Sequence, residues 1–177
     1  NDAMSALPPI VMIHGMWCVG EIWSSYRLPF EAAGYAVHTP TLRHHALGAP
    51  HPELGTTSLR DYVDDLAAFI ATLPERPILI GHSMGGLLTQ LLVAKGLAKA
   101  AILICSAAPR GVFPVRLSML PATTRIFSTP GFWKKPNKLN AREARYAVFN
   151  ELSESDAAIR IADLVHESGR AAAEIVF

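Results

Sequence analysis

The stretch that most constrains the fold is Ile78-Leu79-Ile80-Gly81-His82-Ser83-Met84-Gly85-Gly86-Leu87. Its short apolar run predicts a buried strand that ends at Gly81. Residues 87–95 contain neither proline nor glycine and predict a helix, with Gly96 where a helix C-terminus is expected. Ser83 is therefore predicted to lie at a sharp strand-to-helix turn, which is the context of a nucleophile elbow.

A serine at such a turn adopts a strained backbone conformation. Gly81 and Gly85 would leave room for neighbouring backbone to pass close to the turn. The helix N-terminus would lie beneath the Ser83 hydroxyl, and the Met84 amide would point at the oxyanion formed when Ser83 attacks a carbonyl. Gly-x-Ser-x-Gly alone also suits a glycine-rich turn in an ordinary parallel sheet, but the predicted strand and helix around it favour a nucleophile.

The order of predicted elements indicates an α/β fold, a parallel sheet flanked by helices. The apolar helix face includes Leu59, Val63 and Leu66, and Ser58 has capping-box spacing before it. Between the second strand and this helix lies an irregular loop, residues 43–56. The predicted strands are residues 9–13, 35–42, 78–80 and 100–105, and the predicted helices are residues 21–33, 59–73 and 87–95.

The sequence changes character after residue 110, which divides it into a predicted α/β core, residues 1–110, and a predicted helical cap, residues 111–177. Prolines and aromatic residues are frequent over residues 108–140, and two amphipathic helices are predicted, near residues 141–150 and after Ser153. Aromatic residues of this region, among them Phe113, Phe127 and Trp133, suit either an apolar substrate pocket or the core of the cap itself.

Composition limits the class of protein. The chain has 177 residues, is 50% hydrophobic and carries a net charge of +1, which argues against disorder and against a nucleic-acid-binding surface. No apolar run is long enough to span a membrane, and no signal peptide is evident, so a cytoplasmic protein is predicted. Cys105 lies in an apolar run and is predicted to be a buried thiol, and nothing in the sequence supports its pairing with Cys18.

Two motifs together resemble the α/β-hydrolase superfamily: Gly81-His82-Ser83-Met84-Gly85-Gly86, and His14-Gly15-Met16-Trp17 after the first strand. The resemblance covers residues 8–107. It implies that Ser83 is the nucleophile and that the amides of Met16 and Met84 form the oxyanion hole. It further implies that His14 is structural. Trp17 suits either the pocket floor or the core.

The resemblance also implies an acid and a histidine after Ser83, each following a later strand. His166 is the only later histidine, and it falls in a predicted cap helix rather than after a strand. We therefore expect two of the three triad residues to lie outside this chain, which lacks the family's C-terminal part. The fourth strand would then be an open edge, covered by a C-terminal fragment or a second copy of the chain.

Four histidines, His38, His44, His45 and His51, cluster around the loop of residues 43–56. A metal site is conceivable here, but we expect no carboxylate or cysteine at ligand spacing, so a solvated loop is favoured, and no metal and no cofactor are predicted. The predicted partner is a small-molecule acyl substrate.

The expected function is that of a serine hydrolase cleaving an ester, thioester or similar acyl bond of an apolar small molecule, and this truncated chain is expected to be inactive. Two alternatives stay open. One is a non-catalytic ligand-binding protein on the same fold. The other is a cofactor-free lyase, haloperoxidase or acyltransferase.

Overall fold

The computed structural model describes residues 7–109, 111–112 and 119–177. Four parallel strands form one sheet in the order β2-β1-β3-β4. They are β1, Ile10–Ile13; β2, Val37–His38; β3, Ile78–His82; and β4, Ala100–Ile104. Ile13 of β1 lies beside Gly81 of β3, so the first and third strands end at the same edge of the sheet.

Three helices alternate with these strands, as the sequence predicts. A 3₁₀ turn, Gly20–Trp23, leads into α1, Ser24–Ala32, and the longer helices are α2, Leu59–Ile70, and α3, Met84–Ala94. Gly34 and Gly96 follow α1 and α3 with φ values of 92° and 73°, which suits glycine at a helix C-terminus. The predicted parallel α/β sheet flanked by helices is confirmed.

The second strand is much shorter than the predicted residues 35–42. Only Val37 and His38 pair with β1. Farther along, the backbone amide of Leu42 donates a 3.0 Å hydrogen bond to Nε2 of His14 instead of joining a strand ladder. Leu42 is buried without joining the sheet, so the apolar residue at the end of the predicted strand reflects burial rather than strand pairing.

The strands differ in how deeply they are buried. All four residues of β1 are buried, whereas all five residues of β4 are exposed, with Ile102 48% and Leu103 46% accessible. No strand of the described residues pairs with the outer side of β4. The prediction that Cys105 is a buried thiol is wrong, because it directly follows this exposed strand and is itself exposed.

The described residues form two compact units. The first comprises residues 7–16, Gly20–Leu42 and Arg60–Ala107, and therefore contains the sheet. The second comprises Trp17–Val19, Arg43–Leu59 and the described part of Ala108–Phe177. The division at residue 110, and the role of residues 111–177 as a cap, stay predictions.

The second unit is helical. Its helices are α4, Leu120–Phe127; α5, Ala141–Ala147; α6, Glu154–Ala162; and α7, Gly169–Val176, with 3₁₀ turns at Leu54–Thr56 and Phe132–Lys134. The two predicted helices correspond to α5 and α6. Asn140 forms a capping box with Glu143 at the start of α5, and Ser153 accepts a hydrogen bond from the Asp156 amide at the start of α6. Helices α4 and α7 were not expected from the sequence.

His166 lies between α6 and α7, so its predicted place in a helix is wrong. The backbone here pairs with distant segments: the amide of Val165 donates to the carbonyl of Trp17, and Glu167 forms an antiparallel bridge with Asn137. These long-range hydrogen bonds replace the local bonds that a helix would need. None of the described helices has the length and apolar character needed to cross a membrane.

Candidate active site

Ser83 occupies the turn between β3 and α3, with φ of 54° and ψ of −120°. An L-residue rarely adopts this conformation, which glycine prefers. Hydrogen bonds hold it: the Ser83 amide donates to the carbonyl of Ile104, and the Ser83 carbonyl accepts from the amides of Gly86 and Ala107. The predicted strand, strained turn and helix are confirmed, and the backbone around Ser83 is fixed on both sides.

The two glycines of the motif lie where a side chain has no room. A Cβ atom at Gly81 would collide with the carbonyl oxygen of Gly85 and with the hydroxyl of Thr89. A Cβ atom at Gly85 would collide with the carbonyl oxygens of Ile13 and His14 at the end of β1. The Gly-x-Ser-x-Gly spacing is therefore what lets the start of α3 pack directly against β1 and β3.

The proposed oxyanion donors come from the ends of two neighbouring strands. Met84 is the first residue of α3, so its N–H has no acceptor within the helix, and the positive end of the helix dipole lies there. Met16 follows Gly15, and a Cβ atom at Gly15 would lie 3.0 Å from the Cβ atom of Ser83. This proximity suits two amides beside one serine, and their role in binding an oxyanion stays a prediction.

His14 is fully buried and is held by backbone groups through both ring nitrogens. Its Nδ1 lies 2.9 Å from the carbonyl oxygen of Gly15, and its Nε2 accepts a hydrogen bond from the amide of Leu42. Nδ1 must then carry the proton and donate it to the carbonyl. An imidazole engaged in this way supports the loop after β1, as the structural role predicted for His14 requires.

The other polar groups near the turn are engaged in local contacts. Burial lowers the pKa of His82, which favours its neutral form. Ser106, at the end of β4, accepts a hydrogen bond from Gln90 and donates one to the carbonyl of Ala107. The Ser83 hydroxyl makes no hydrogen bond within the part of the chain that the structure describes, and its role as a nucleophile stays a prediction.

The three predicted substrate-binding side chains all belong to the second unit. Trp17 packs on the core of that unit and donates a 2.8 Å hydrogen bond from its indole nitrogen to Asn137. Phe127 and Trp133 both make edge-to-face contacts with the ring of Phe132, at centroid distances of 5.2 and 5.5 Å. Two of the three thus contribute to the core of the unit, and their role in substrate binding stays a prediction. Phe113 lies outside the described residues.

A cavity of about 290 Å³ in the second unit has a basic lining that includes Arg125, Lys135, Lys138 and His166. Trp17, Phe127 and Trp133 do not line it. Burial and the nearby charge of Lys138 lower the pKa of His166, whereas a hydrogen bond that the imidazole donates to the Gly48 backbone raises it, and the net shift favours the neutral form. This cavity does not match the apolar pocket expected from the sequence.

Two polar groupings of the second unit were missed in the sequence. His45 and Glu167 form a fully buried pair, with Nε2 of His45 2.8 Å from a carboxylate oxygen of Glu167. His44 and His51 lie beside the carboxylate of Glu53, close enough for all three to bind one metal ion. The expectation that this loop has no carboxylate at ligand spacing is wrong, because Glu53 lies only two residues after His51.

Comparisons with known proteins agree with this geometry. A family model described as "Alpha/beta hydrolase family" matches residues 10–173. A pyrethroid hydrolase of Sphingobium wenxiniae is 34% identical over 77 residues, which is 44% of this chain and 27% of that protein. The matched segment therefore spans little more than a quarter of that relative.

Two solved structures share the fold. An extracellular α/β-hydrolase from a Paenibacillus species has a TM-score of 0.75 at 19% identity, over 97% of this chain and 69% of that chain. A polyneuridine aldehyde esterase mutant has a TM-score of 0.66 at 18% identity, over 95% of this chain and 71% of that chain. At these identities the likeness concerns the fold alone. The family model covers nearly all of the sequence, and the chain therefore belongs to the α/β-hydrolase family.

Proposed function

We propose that this chain carries the nucleophile of a serine hydrolase that cleaves an ester, thioester or similar acyl bond of an apolar small molecule. The observation that carries the proposal is the backbone of Ser83, held at φ 54° at the N-terminus of α3. Hydrogen bonds on both sides maintain this strained conformation, and strained residues cluster at active sites. Family membership supports the same conclusion.

In the proposed reaction, the Ser83 oxygen attacks the acyl carbon and its proton passes to a general base. The carbonyl oxygen becomes an oxyanion that accepts hydrogen bonds from the amides of Met16 and Met84. Loss of one such donor typically lowers kcat by a factor of about 10²–10³, so each of the two amides is expected to contribute to the rate. The leaving group takes the proton from the base, and water then releases the acyl group from Ser83.

The general base and its acid partner are proposed to come from sequence outside this chain. Among the described histidines of the first unit, His14 is engaged through both nitrogens and His38 packs edge-on against Phe69. His82 is adjacent to Ser83 in sequence but makes no hydrogen bond with its hydroxyl in the described structure. None of these three described histidines is hydrogen-bonded to the Ser83 hydroxyl, and we propose that a histidine outside this chain completes the triad, so that this chain alone is inactive.

The experiment is intact-mass analysis after treatment with a fluorophosphonate probe, on this chain and on the longest product of its gene. We expect the longer product to gain one probe adduct, which Ser83→Ala abolishes and Ser25→Ala, a change on the exposed side of α1, leaves intact. Labelling that persists in Ser83→Ala would refute Ser83 as the nucleophile. Equal labelling of the 177-residue chain would refute its proposed inactivity.

Substrate class is tested on the longer product with p-nitrophenyl esters of increasing acyl length and with a pyrethroid, chosen because of the pyrethroid hydrolase relative. An apolar pocket predicts that kcat/KM rises with acyl length, since each buried CH₂ contributes about 0.8 kcal/mol. A flat or falling series would contradict the apolar pocket. Absence of both hydrolysis and probe labelling would favour the ligand-binding alternative on the same fold.

A further inference from the structure

The loop between β2 and α2 brings together three side chains that are typical metal ligands. The rings of His44 and His51 are stacked, with centroids 3.8 Å apart and planes inclined by 11°. Nε2 of His44 lies 3.6 Å from a carboxylate oxygen of Glu53. One ligand atom from each residue lies within 4.8 Å of the other two.

The backbone holds these residues in place. His44 has φ of 65°, a left-handed conformation that histidine tolerates better than most residues, and it turns the ring towards His51. The carbonyl of Glu53 accepts hydrogen bonds from the hydroxyls of Thr56 and Thr57. The next residue, Leu54, is fully buried, so the Glu53 backbone has little freedom and only its side chain extends into solvent.

The ligand set selects the kind of ion. Two imidazole nitrogens with one carboxylate oxygen suit zinc or a similar divalent transition metal, whereas Mg²⁺ and Ca²⁺ prefer oxygen ligands alone. Bonds of about 2.0–2.1 Å at tetrahedral angles put ligand atoms about 3.3 Å apart. The separation between His44 and Glu53 is already close to this value. The stacked rings must also rotate out of their near-parallel arrangement, because the nitrogen lone pairs lie in the ring planes and have to converge on one ion.

Binding a metal through Nδ1 of His51 would replace one hydrogen bond. Nδ1 of His51 accepts a 3.2 Å hydrogen bond from the amide of Glu53, and a metal at that nitrogen would replace it. This bond is at the long end of the normal range, so its loss costs little against a metal–nitrogen bond. The Glu53 side chain is 76% exposed, so an ion can reach the ligands and a water molecule can fill the fourth position.

We propose that His44, His51 and Glu53 form a binding site for a divalent transition-metal ion, with Zn²⁺ the best fit. The site consists only of residues of this loop and includes no residue of the proposed hydrolase reaction. It would fasten the loop between β2 and α2, because a bound ion joins residues nine positions apart in the chain. It is therefore independent of the proposed function.

The test is calorimetric titration of the tag-free, EDTA-treated chain with ZnCl₂, alongside thermal unfolding with and without the metal. We expect one Zn²⁺ per chain and an increase in Tm, since an ion that binds only the folded state stabilises it. His44→Gln, His51→Gln and Glu53→Gln should each weaken binding by about tenfold or more, as loss of even a supporting partner of a metal ligand does. Each variant should also lose the Tm increase.

The matched control is Glu21→Gln, the same change at an exposed carboxylate of the first unit, which should bind Zn²⁺ as the unaltered chain does. Circular dichroism of each variant shows whether it remains folded. If the unaltered chain binds no Zn²⁺, the proposal is wrong. It is equally wrong if folded variants keep full affinity, because the ion is then held by other residues.

Discussion

The strained backbone of Ser83 leads to a prediction about stability, and this prediction can be tested without measuring catalysis. A residue other than glycine at φ 54° and ψ −120° costs about 1–3 kcal/mol, a cost that glycine avoids. Glycine in turn loses about 0.5–1 kcal/mol more conformational entropy than alanine when the chain folds. We therefore expect Ser83→Gly to be more stable than Ser83→Ala by about 1 kcal/mol. Both variants lack the hydroxyl, so their difference isolates the effect of the Cβ atom.

The assay is urea unfolding followed by circular dichroism. With an m value of roughly 2 kcal/mol/M, a gain of this size raises the midpoint of Ser83→Gly above that of Ser83→Ala by about 0.5 M. The matched pair is Ser25→Gly and Ser25→Ala in the exposed part of α1, where the order should reverse because glycine destabilises a helix by about 1 kcal/mol relative to alanine. A Ser83→Gly midpoint equal to or below that of Ser83→Ala would refute the strain argument.

Three further predictions concern other parts of the molecule. Glu167→Ala removes the acceptor of Nε2 of the buried His45 imidazole and should lower the free energy of unfolding by about 3–5 kcal/mol in urea unfolding. Burial and the charge of Glu167 raise the pKa of Cys18 to about 12, so iodoacetamide at pH 8 should alkylate the exposed Cys105 and leave Cys18 unmodified in peptide mapping. The open edge of β4 should make this chain self-associate in analytical ultracentrifugation, and Leu103→Lys on that exposed strand should weaken the association.

Each of these predictions has a clear contrary result. Glu151→Ala, at an exposed carboxylate, should change stability by less than about 0.5 kcal/mol, and a similarly small effect of Glu167→Ala would mean that the buried pair contributes little. Fast alkylation of Cys18 in the folded chain would contradict its burial, and urea should make both thiols reactive. A chain that sediments as a monomer, with no second fragment by mass spectrometry, would contradict the proposed pairing of β4.

The sequence predicted best those elements whose stabilising contacts are local. The strand, turn and helix around Ser83 follow from glycine positions and apolar periodicity within a dozen residues. The start of α6 follows from Ser153, a helix-capping residue whose partner is three positions away. In contrast, the predicted β2 is too long. The backbone amide of Leu42, at the end of the predicted strand, donates to the distant side chain of His14 instead of to a neighbouring strand.

The second unit was harder to predict because its contacts join distant segments. His166 was assigned to a helix, but the neighbouring backbone pairs with Trp17 and Asn137. Helix α4 was missed because its region is rich in proline, although Pro121 lies in the first turn, where proline is tolerated. Helix α7 was missed although Ser168 supplies its N-cap. The buried pairing of His45 with Glu167 left no local pattern to detect.

The interleaved make-up of the second unit has a consequence for synthesis on the ribosome. Bonds that hold it together, from Trp17 to Asn137 and from His45 to Glu167, join residues 120 and 122 positions apart. At about 5–20 residues per second, the loop of residues 43–59 waits roughly 6–24 s for its partners to emerge. Leu54, fully buried in the finished fold, stays without those partners during that interval. Slower translation after residue 60 would lengthen this interval and lower the yield of folded protein without altering a single native contact.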